Sequence, residues 1–166
     1  SDLTDTAYTD AELDTEANLI TYLVTAEANG IESICSNGAK MPAPAGRGMV
    51  DNLDKRISYE GQWANWSESV NYAGSIMYLE GDKYSTDATV TLQFIGTGIE
   101  VITCTNHDRS FFEVFIDGES CGEVETYSAS TRRQVNIFTK DDLDYGMHTI
   151  VIKPIEKNNE ACTRNG

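Results

Sequence analysis

The chain has 166 residues, 40% of them hydrophobic, and its 12 basic and 27 acidic side chains give a net charge of −15. This length is enough for one full domain with a buried core and part of a second domain. The excess of carboxylates argues against nucleic acid and anionic lipid as partners, because both are bound chiefly through Lys and Arg. No apolar run approaches the roughly 20 residues of a membrane helix, so we expect no membrane insertion and favour neutral ligands or cations.

Near the start of the chain, residues 19–26 alternate between apolar and polar side chains, which is typical of a half-buried strand. The following Asn29-Gly30 favours a two-residue hairpin turn, with residues 31–35 as the return strand. Residues 11–18 have good helix propensity. The strand pattern outweighs that propensity, and we predict strands rather than helix in this first segment, residues 1–36.

A connector follows at residues 37–48, where three glycines and two prolines stand among small residues. Such a composition is typical of a linker. The sequence therefore predicts a first segment at residues 1–36, a linker at 37–48 and a main module at 49–166.

The main module shows period-two alternation almost throughout, as in Val90, Leu92 and Phe94, and this pattern predicts an all-β, antiparallel sandwich. Asp117-Gly118 tolerates positive φ angles and predicts a two-residue hairpin turn. The predicted strands lie at residues 89–94, 99–104, 112–116, 123–127, 134–138 and 149–153.

Residues 4–36 resemble the last three strands of a fibronectin type III domain. The resemblance rests on the run Asn-Leu-Ile-Thr-Tyr-Leu-Val-Thr-Ala-Glu-Ala-Asn-Gly-Ile-Glu-Ser, with Tyr22 at the position of that family's tyrosine corner. Three strands cannot close a two-sheet sandwich alone. The resemblance thus implies either a trimmed piece of a longer protein or strands that pack on the main module or on a neighbour.

A second resemblance covers residues 50–160 and rests on five blocks in order. They are residues 50–66, which end in Trp-Ala-Asn-Trp, then Phe-Ile-Gly-Thr-Gly-Ile at 94–99, Phe-Glu-Val-Phe-Ile-Asp-Gly at 112–118, Thr-Tyr-Ser at 126–128 and Tyr-Gly-Met-His-Thr-Ile at 145–150. The same order occurs in galactose-binding-like jelly-roll modules appended to secreted bacterial glycoside hydrolases. The resemblance implies an antiparallel jelly-roll β-sandwich in a secreted or cell-surface protein.

The function that this resemblance implies is noncatalytic carbohydrate binding, which would tether a glycan-active enzyme to its polysaccharide. The same sandwich also serves as a passive spacer and as the N-terminal domain of some carbohydrate esterases. Such modules usually finish with one more strand than this chain shows. A structural or assembly module, completed by strand addition from a neighbouring subunit, is therefore the alternative function.

Catalytic signatures are lacking in the sequence. We expect His148 to lie at a strand edge and to bond backbone groups. The chain has no Gly-x-Ser-x-Gly elbow and no His-Glu-x-x-His pair. Residue type alone does not exclude a glycosidase carboxylate pair, but the size of the chain disfavours one. We therefore predict an accessory module and not an enzyme.

Sugar binding needs an aromatic face for the C–H side of the ring, together with planar polar groups for the hydroxyls. Polar and aromatic candidates cluster in the loops 105–110 and 127–133, and in related modules the loops at one sandwich edge bind the sugar. Trp63 and Trp66 are three positions apart, so on one strand they face opposite ways and one should be exposed. The predicted ligand-binding residues are Trp66, His107, Asp108, Arg109, Tyr127 and Arg132.

An acidic cluster at Asp51, Asn52 and Asp54 could ligate one structural calcium ion, a hard cation that prefers oxygen donors. Many jelly-roll modules hold one such ion. The alternative is a solvated turn. Asp51 and Asp54 are thus the metal candidates, and we expect no other cofactor.

The four cysteines are too far apart in sequence for a Cys-x-x-Cys site. If residues 99–104 and 111–116 form a hairpin, Cys104 lies opposite about Phe112, and Cys121 lies near Phe115. The sulfurs are then separated by more than the ~7 Å Cα limit of a disulfide. We predict that Cys104 and Cys121 are not bonded.

Overall fold

The structure is a computed structural model that describes residues 20–22, 27–28, 31–32, 39–41, 44–79 and 85–162. The chain divides into two compact units, residues 1–43 and residues 44–166. The described residues form antiparallel strands with no α-helix, which confirms the predicted all-β class. No helix among them has the length and apolarity to cross a membrane.

The first unit contains two short strand pairs. β1 (Ile20–Tyr22) pairs with β4 (Ala39–Met41), and β2 (Glu27–Ala28) pairs with β3 (Ile31–Glu32). Because Ala28 is opposite Ile31, two residues connect β2 and β3, as the Asn29-Gly30 pattern predicts.

β1 confirms strand structure within the predicted strand 19–26, and β3 confirms it within the predicted return strand 31–35. The pairing differs from the prediction, because β1 pairs with β4 and the strand opposite β3 is β2. The helix-favouring residues 11–18 lie outside the described residues. β4 falls within the segment 37–48 that the sequence predicts to be a linker, so part of that segment pairs in a sheet.

The second unit is built around a five-stranded antiparallel sheet. In spatial order its strands are β11 (Glu119–Glu125), β10 (Phe111–Ile116), β13 (Gly146–Ile155), β8 (Thr89–Gly96) and β5 (Ser58–Glu60). Two further strand pairs complete the unit, namely β6 (Trp63–Ser67) with β7 (Ser75–Leu79), and β9 (Ile99–Thr105) with β12 (Arg132–Lys140).

The core lies between the five-stranded sheet and the β9–β12 pair. Alternate residues of β8, β10 and β13 supply its centre. The buried cluster consists of Ala45, Phe94, Val114, Ile116 and Ile150. Val101 of β9 and Phe138 of β12 pack against this cluster from the second sheet, which is the arrangement of a β-sandwich.

Ala45 belongs to this core although it lies in the predicted linker 37–48. Its backbone N–H donates to the Gln93 carbonyl, and its own carbonyl accepts from the Ile95 N–H, both at 2.8 Å. The segment from residue 44 onward is therefore part of the second unit.

The predicted Asp117-Gly118 hairpin is confirmed. Ile116 is opposite Glu119, and the two turn residues have φ angles of 52° and 84°. The Asp117 carboxylate lies 2.6 Å from Nδ1 of His148, whose Nε2 lies 2.8 Å from the Asp144 carbonyl oxygen. His148 thus joins the hairpin turn to the loop before β13, and its expected bond to a backbone group is present.

The hairpin assumed between residues 99–104 and 111–116 is wrong. β9 pairs with β12, whereas β10 pairs with β11 and β13 in the other sheet. Cys104 is buried, Cys121 is exposed, and both are free thiols. The prediction that they are not bonded is confirmed, but the two cysteines lie in different sheets rather than along one hairpin.

Gly98 provides a test of the packing between the β8–β9 turn and the end of β12. A Cβ at this position would overlap the Lys140 carbonyl oxygen and lie 2.7 Å from Asp141 Cα. We expect Gly98→Ala to lower the free energy of unfolding by about 1–3 kcal/mol, because backbone must move to relieve the overlap. Urea denaturation measures this loss.

The matched control is Gly96→Ala, since the nearest atom to a Cβ at Gly96 is 3.8 Å away. We expect this variant to change the free energy of unfolding by less than about 0.5 kcal/mol. Equal losses in the two variants would contradict the packing described.

The pair formed by Asp117 and His148 makes stability depend on pH. The hydrogen bond to Asp117 raises the pKa of His148 above its usual 6.5, and the same bond lowers the pKa of Asp117 below its usual 3.8. Because the pKa of His148 is raised in the folded protein, the charged histidine stabilises the fold below about pH 6.5, and this stabilisation is lost as the pH rises through the raised pKa. Because the pKa of Asp117 is lowered, its carboxylate stabilises the fold above about pH 3.8, and this stabilisation is lost as the pH falls through the lowered pKa.

We therefore expect His148→Gln to lower the melting temperature most between about pH 4 and 6.5, and less at pH 8. Thermal melts of both proteins at pH 5.5 and pH 8 measure this difference. An equal loss at the two pH values would show that the charge of His148 does not matter.

Candidate functional site

The two polar loops singled out from the sequence are neighbours in the structure, and Asn106 joins them. Its backbone N–H donates to the Thr126 carbonyl at 3.2 Å, and its carbonyl accepts from the Ser128 N–H at 3.0 Å. Its side-chain oxygen accepts from the Thr131 hydroxyl at 2.9 Å. The loops 105–110 and 127–133 therefore form one surface at the end of the β9–β12 pair. We call the residues of these two loops the loop pocket.

Five of the six predicted residues lie on the two loops of the loop pocket, namely His107, Asp108, Arg109, Tyr127 and Arg132. Arg109 Nε lies 3.7 Å from Asp108 Oδ1, and both side chains are about one-third exposed. Arg132 is exposed and forms no ion pair within the described ranges. Tyr127 is half-buried and bridges to Asn106. Two guanidinium groups, a carboxylate and an aromatic ring are thus held on adjacent loops.

The side chains of Trp66 and His107 are both exposed. His107 lies on the first loop, whereas Trp66 lies on β6, outside the loop pocket. The Trp63 ring packs on Tyr59, with centroids 5.6 Å apart, while Trp66 is 58% exposed. The prediction that one of the two tryptophans is exposed is confirmed.

Arg133 connects the loop pocket to the turn between β6 and β7. Its Nη2 donates to Glu68 Oε1 at 2.7 Å, and its Nη1 donates to Cys104 Sγ at 2.8 Å. The Gln134 amide donates to the Val70 carbonyl at 3.0 Å. The hydrogen bond to Glu68 raises the pKa of Arg133 above its ordinary value.

Glu68 is not among the residues that the sequence predicts for this region. Glu68 and Arg133 are 65 positions apart, and no local pattern relates two such residues. Arg133 lies at the end of the second loop but is not among the predicted ligand-binding residues.

Unsatisfied polar atoms concentrate in the same region. Among the described residues, four buried side-chain atoms make no hydrogen bond: Asn71 Nδ2, Thr105 Oγ1, Asp108 Oδ1 and Arg133 Nε. They belong to the β6–β7 turn, the end of β9, the first loop and the start of β12. A buried polar atom without a partner costs about 1–3 kcal/mol, so each such atom calls for an explanation, and a ligand is one.

The first loop is supported from behind by the end of the described chain. The Ser110 hydroxyl donates to the Lys157 carbonyl at 2.6 Å, and the Phe111 N–H donates to the same carbonyl at 3.3 Å. Cys162 Sγ donates to the Arg109 carbonyl at 3.5 Å. The backbone of Arg109 is thereby held in place, which lowers the entropy lost when its side chain binds a ligand.

The metal candidates Asp51 and Asp54 occupy a turn before β5. Arg56 contacts both Asp54 carboxylate oxygens, at 2.9 and 2.7 Å, and this hydrogen bonding lowers the pKa of Asp54. Asp51 Oδ1 accepts from the Leu53 N–H at 3.0 Å. In residues 44–79 and 85–162, no three His, Cys, Asp or Glu side chains are grouped to hold a metal. The calcium site stays a prediction.

Two buried threonines test whether the unpartnered Thr105 hydroxyl contributes to the stability of the fold. Thr105 and Thr126 are 6% and 7% exposed. The Thr126 hydroxyl donates to the Ser110 carbonyl at 2.6 Å, whereas the Thr105 hydroxyl makes no hydrogen bond with a described residue. We expect Thr126→Val to lower the free energy of unfolding by about 1 kcal/mol, and Thr105→Val to leave it unchanged or raise it. Urea denaturation of both variants decides, and a loss for Thr105→Val equal to that for Thr126→Val would be contrary to the account.

Comparisons with known proteins point to glycan-active enzymes, although no family model matches the chain. Over 103 residues the chain is 32% identical to the A type blood N-acetyl-alpha-D-galactosamine deacetylase of Flavonifractor plautii. Over 101 residues it is 29% identical to the A type blood alpha-D-galactosamine galactosaminidase of the same organism. The matches cover 62% and 61% of this chain but only 13% and 9% of those two proteins.

Proposed function

We propose that residues 49–166 form a noncatalytic carbohydrate-binding module that holds a secreted glycan-active enzyme near its polysaccharide. Support comes from the two curated relatives, which are glycan-active enzymes, and from the small share of each that is similar to this chain. Similarity to only a small part of two enzymes with different activities fits an accessory role better than a catalytic one. Tethering raises the effective concentration of substrate at the catalytic unit.

The observation that carries the proposal is the convergence of the two polar loops on Asn106. In the proposed complex, Arg109 and Arg132 donate to sugar hydroxyls, Asp108 accepts from them, and Tyr127 stacks on the C–H face of the ring. Such a site offers donors, acceptors and an aromatic face on neighbouring loops, which is what a sugar requires.

The affinity of such a site is modest. Each sugar hydroxyl exchanges a hydrogen bond to water for one to the protein, so a contact yields only about 1 kcal/mol. A single site of this kind binds in the micromolar to millimolar range. Since the name of the first relative specifies N-acetylgalactosamine of A type blood, neutral glycans that carry this sugar are the first ligands to test.

The edges of the five-stranded sheet give little support to an assembly module completed by strand addition. β5, at one edge of the five-stranded sheet, has only three residues. β11, at the other edge, carries Glu119, Glu123 and Glu125 and has a register irregularity against β10. Short, charged and bulged edges disfavour pairing with another chain. This observation favours the binding function.

The proposal predicts that Arg109→Ala and Arg132→Ala each weaken binding of the blood group A trisaccharide by about 1–3 kcal/mol, because a desolvated sugar hydroxyl loses its donor. The melting temperature should barely change for Arg132→Ala, since Arg132 forms no ion pair with a described residue. Isothermal titration calorimetry measures the affinity, after a glycan array has established binding.

The control is Arg47→Ala, which removes the same charge from an exposed position between residue 44 and β5. We expect its affinity to equal that of the parent protein. Unchanged affinity in both loop variants, with a sugar that the parent binds, would exclude this site.

A further inference from the structure

Exposed apolar side chains lie on β6 and on the turn that follows it. Trp66 is 58% exposed, Tyr72 is 44% exposed, and Val70 between them is also exposed. We call these three residues the aromatic platform. The loop pocket of the proposed function does not include them. Exposed apolar clusters with a polar rim mark binding surfaces more often than scattered apolar residues do.

Two hydrogen bonds link the turn that carries the platform to the start of β12, next to the loop pocket. Trp66 and Glu68 are two positions apart in extended chain, so their side chains leave the same face. The Glu68 carboxylate contacts Arg133 at 2.7 Å, and the Val70 carbonyl accepts from the Gln134 amide at 3.0 Å. The platform therefore borders the start of β12, beside Arg132.

Polar atoms without partners lie in the segments that join the two regions. Arg133 Nε is buried and makes no hydrogen bond with a described residue, and the same holds for Asn71 Nδ2. Arg133 is next to Arg132 of the loop pocket, and Asn71 is next to Tyr72 of the platform. Each of the two unpartnered atoms thus belongs to a residue that is adjacent in sequence to one of the two regions.

We propose that the aromatic platform is a second sugar subsite, and that the ligand is an oligosaccharide whose consecutive residues occupy the loop pocket and the platform. This inference rests on the proposed function. A sugar chain presents C–H faces for Trp66 and Tyr72 and hydroxyls for the polar atoms between them. Three apolar side chains among charged neighbours are too few for a stable protein interface, and the charge of −15 opposes a second copy of the chain.

The test is a ladder of ligand lengths measured by calorimetry. The probes are the methyl glycoside of N-acetylgalactosamine, the blood group A trisaccharide and the corresponding A hexasaccharide. We expect the affinity of the parent protein to rise about tenfold from the first probe to the last, because each aromatic ring that stacks on the longer ligand adds to its binding. Trp66→Ala and Tyr72→Ala should each remove about threefold or more of this rise, with little effect on the methyl glycoside.

Two controls accompany the ladder. Tyr145→Ala removes a 76% exposed aromatic ring at the start of β13, whereas the loop pocket lies near its far end, where Ile155 pairs with Phe111. This variant should bind all three probes like the parent protein. Arg132→Ala should weaken all three by a similar factor.

The outcomes separate the two proposals. Affinity that does not depend on length, or equal losses for all three probes in Trp66→Ala, would overturn the second subsite and leave the loop pocket in place. Binding of none of the probes would overturn both proposals for these glycans. Concentration-dependent dimers of the parent protein that Trp66→Ala abolishes would assign the platform to self-association instead.

Discussion

The hydrogen bonds of Asn106 are the constraint on which the candidate site depends. The chain leaves one sheet of the sandwich at Thr105 and enters the other at Phe111. At this crossing, the backbone of Asn106 bonds Thr126, just before the second loop, and Ser128 within it, and its side chain bonds Thr131. The hydrogen bonds at this crossing therefore hold the two polar loops side by side, and the sandwich core behind the loops keeps them in place.

The strands of the second unit could be predicted from the sequence because each buries one face, and burial imposes a period of two. The Asp117-Gly118 turn was predictable for a local reason as well, namely its positive φ angles. The pairing of strands was not. The period-two pattern of β9 is compatible with pairing to β10 or to β12. The actual partner of β9 depends on how the two sheets pack against the core. The burial of Ala45 could not be predicted either, because small residues occur in tightly packed cores as well as in linkers.

The site was predictable to a similar extent. Loops 105–110 and 127–133 stand out by composition, and the structure places them side by side. The link from Glu68 to Arg133 leaves no trace in the sequence, because an ion pair across 65 positions requires only that two surfaces meet. The unpartnered atoms of Asn71 and Thr105 are equally invisible, since hydrogen-bond satisfaction is a property of the folded chain. They are also what extends the candidate site from the loops towards β6.

The central claim, that a glycan binds at the loop pocket, is tested most directly by a two-dimensional amide NMR titration of this chain with the blood group A trisaccharide. The account predicts that the N–H signals of Asn106, Arg109 and Ser128 shift in fast exchange, as expected for micromolar to millimolar binding. The signals of Gly118 and Tyr145, which flank the His148 network at the opposite end of β13, should stay in place. Shifts centred on Gly118 and Tyr145, with none at Asn106, would contradict it.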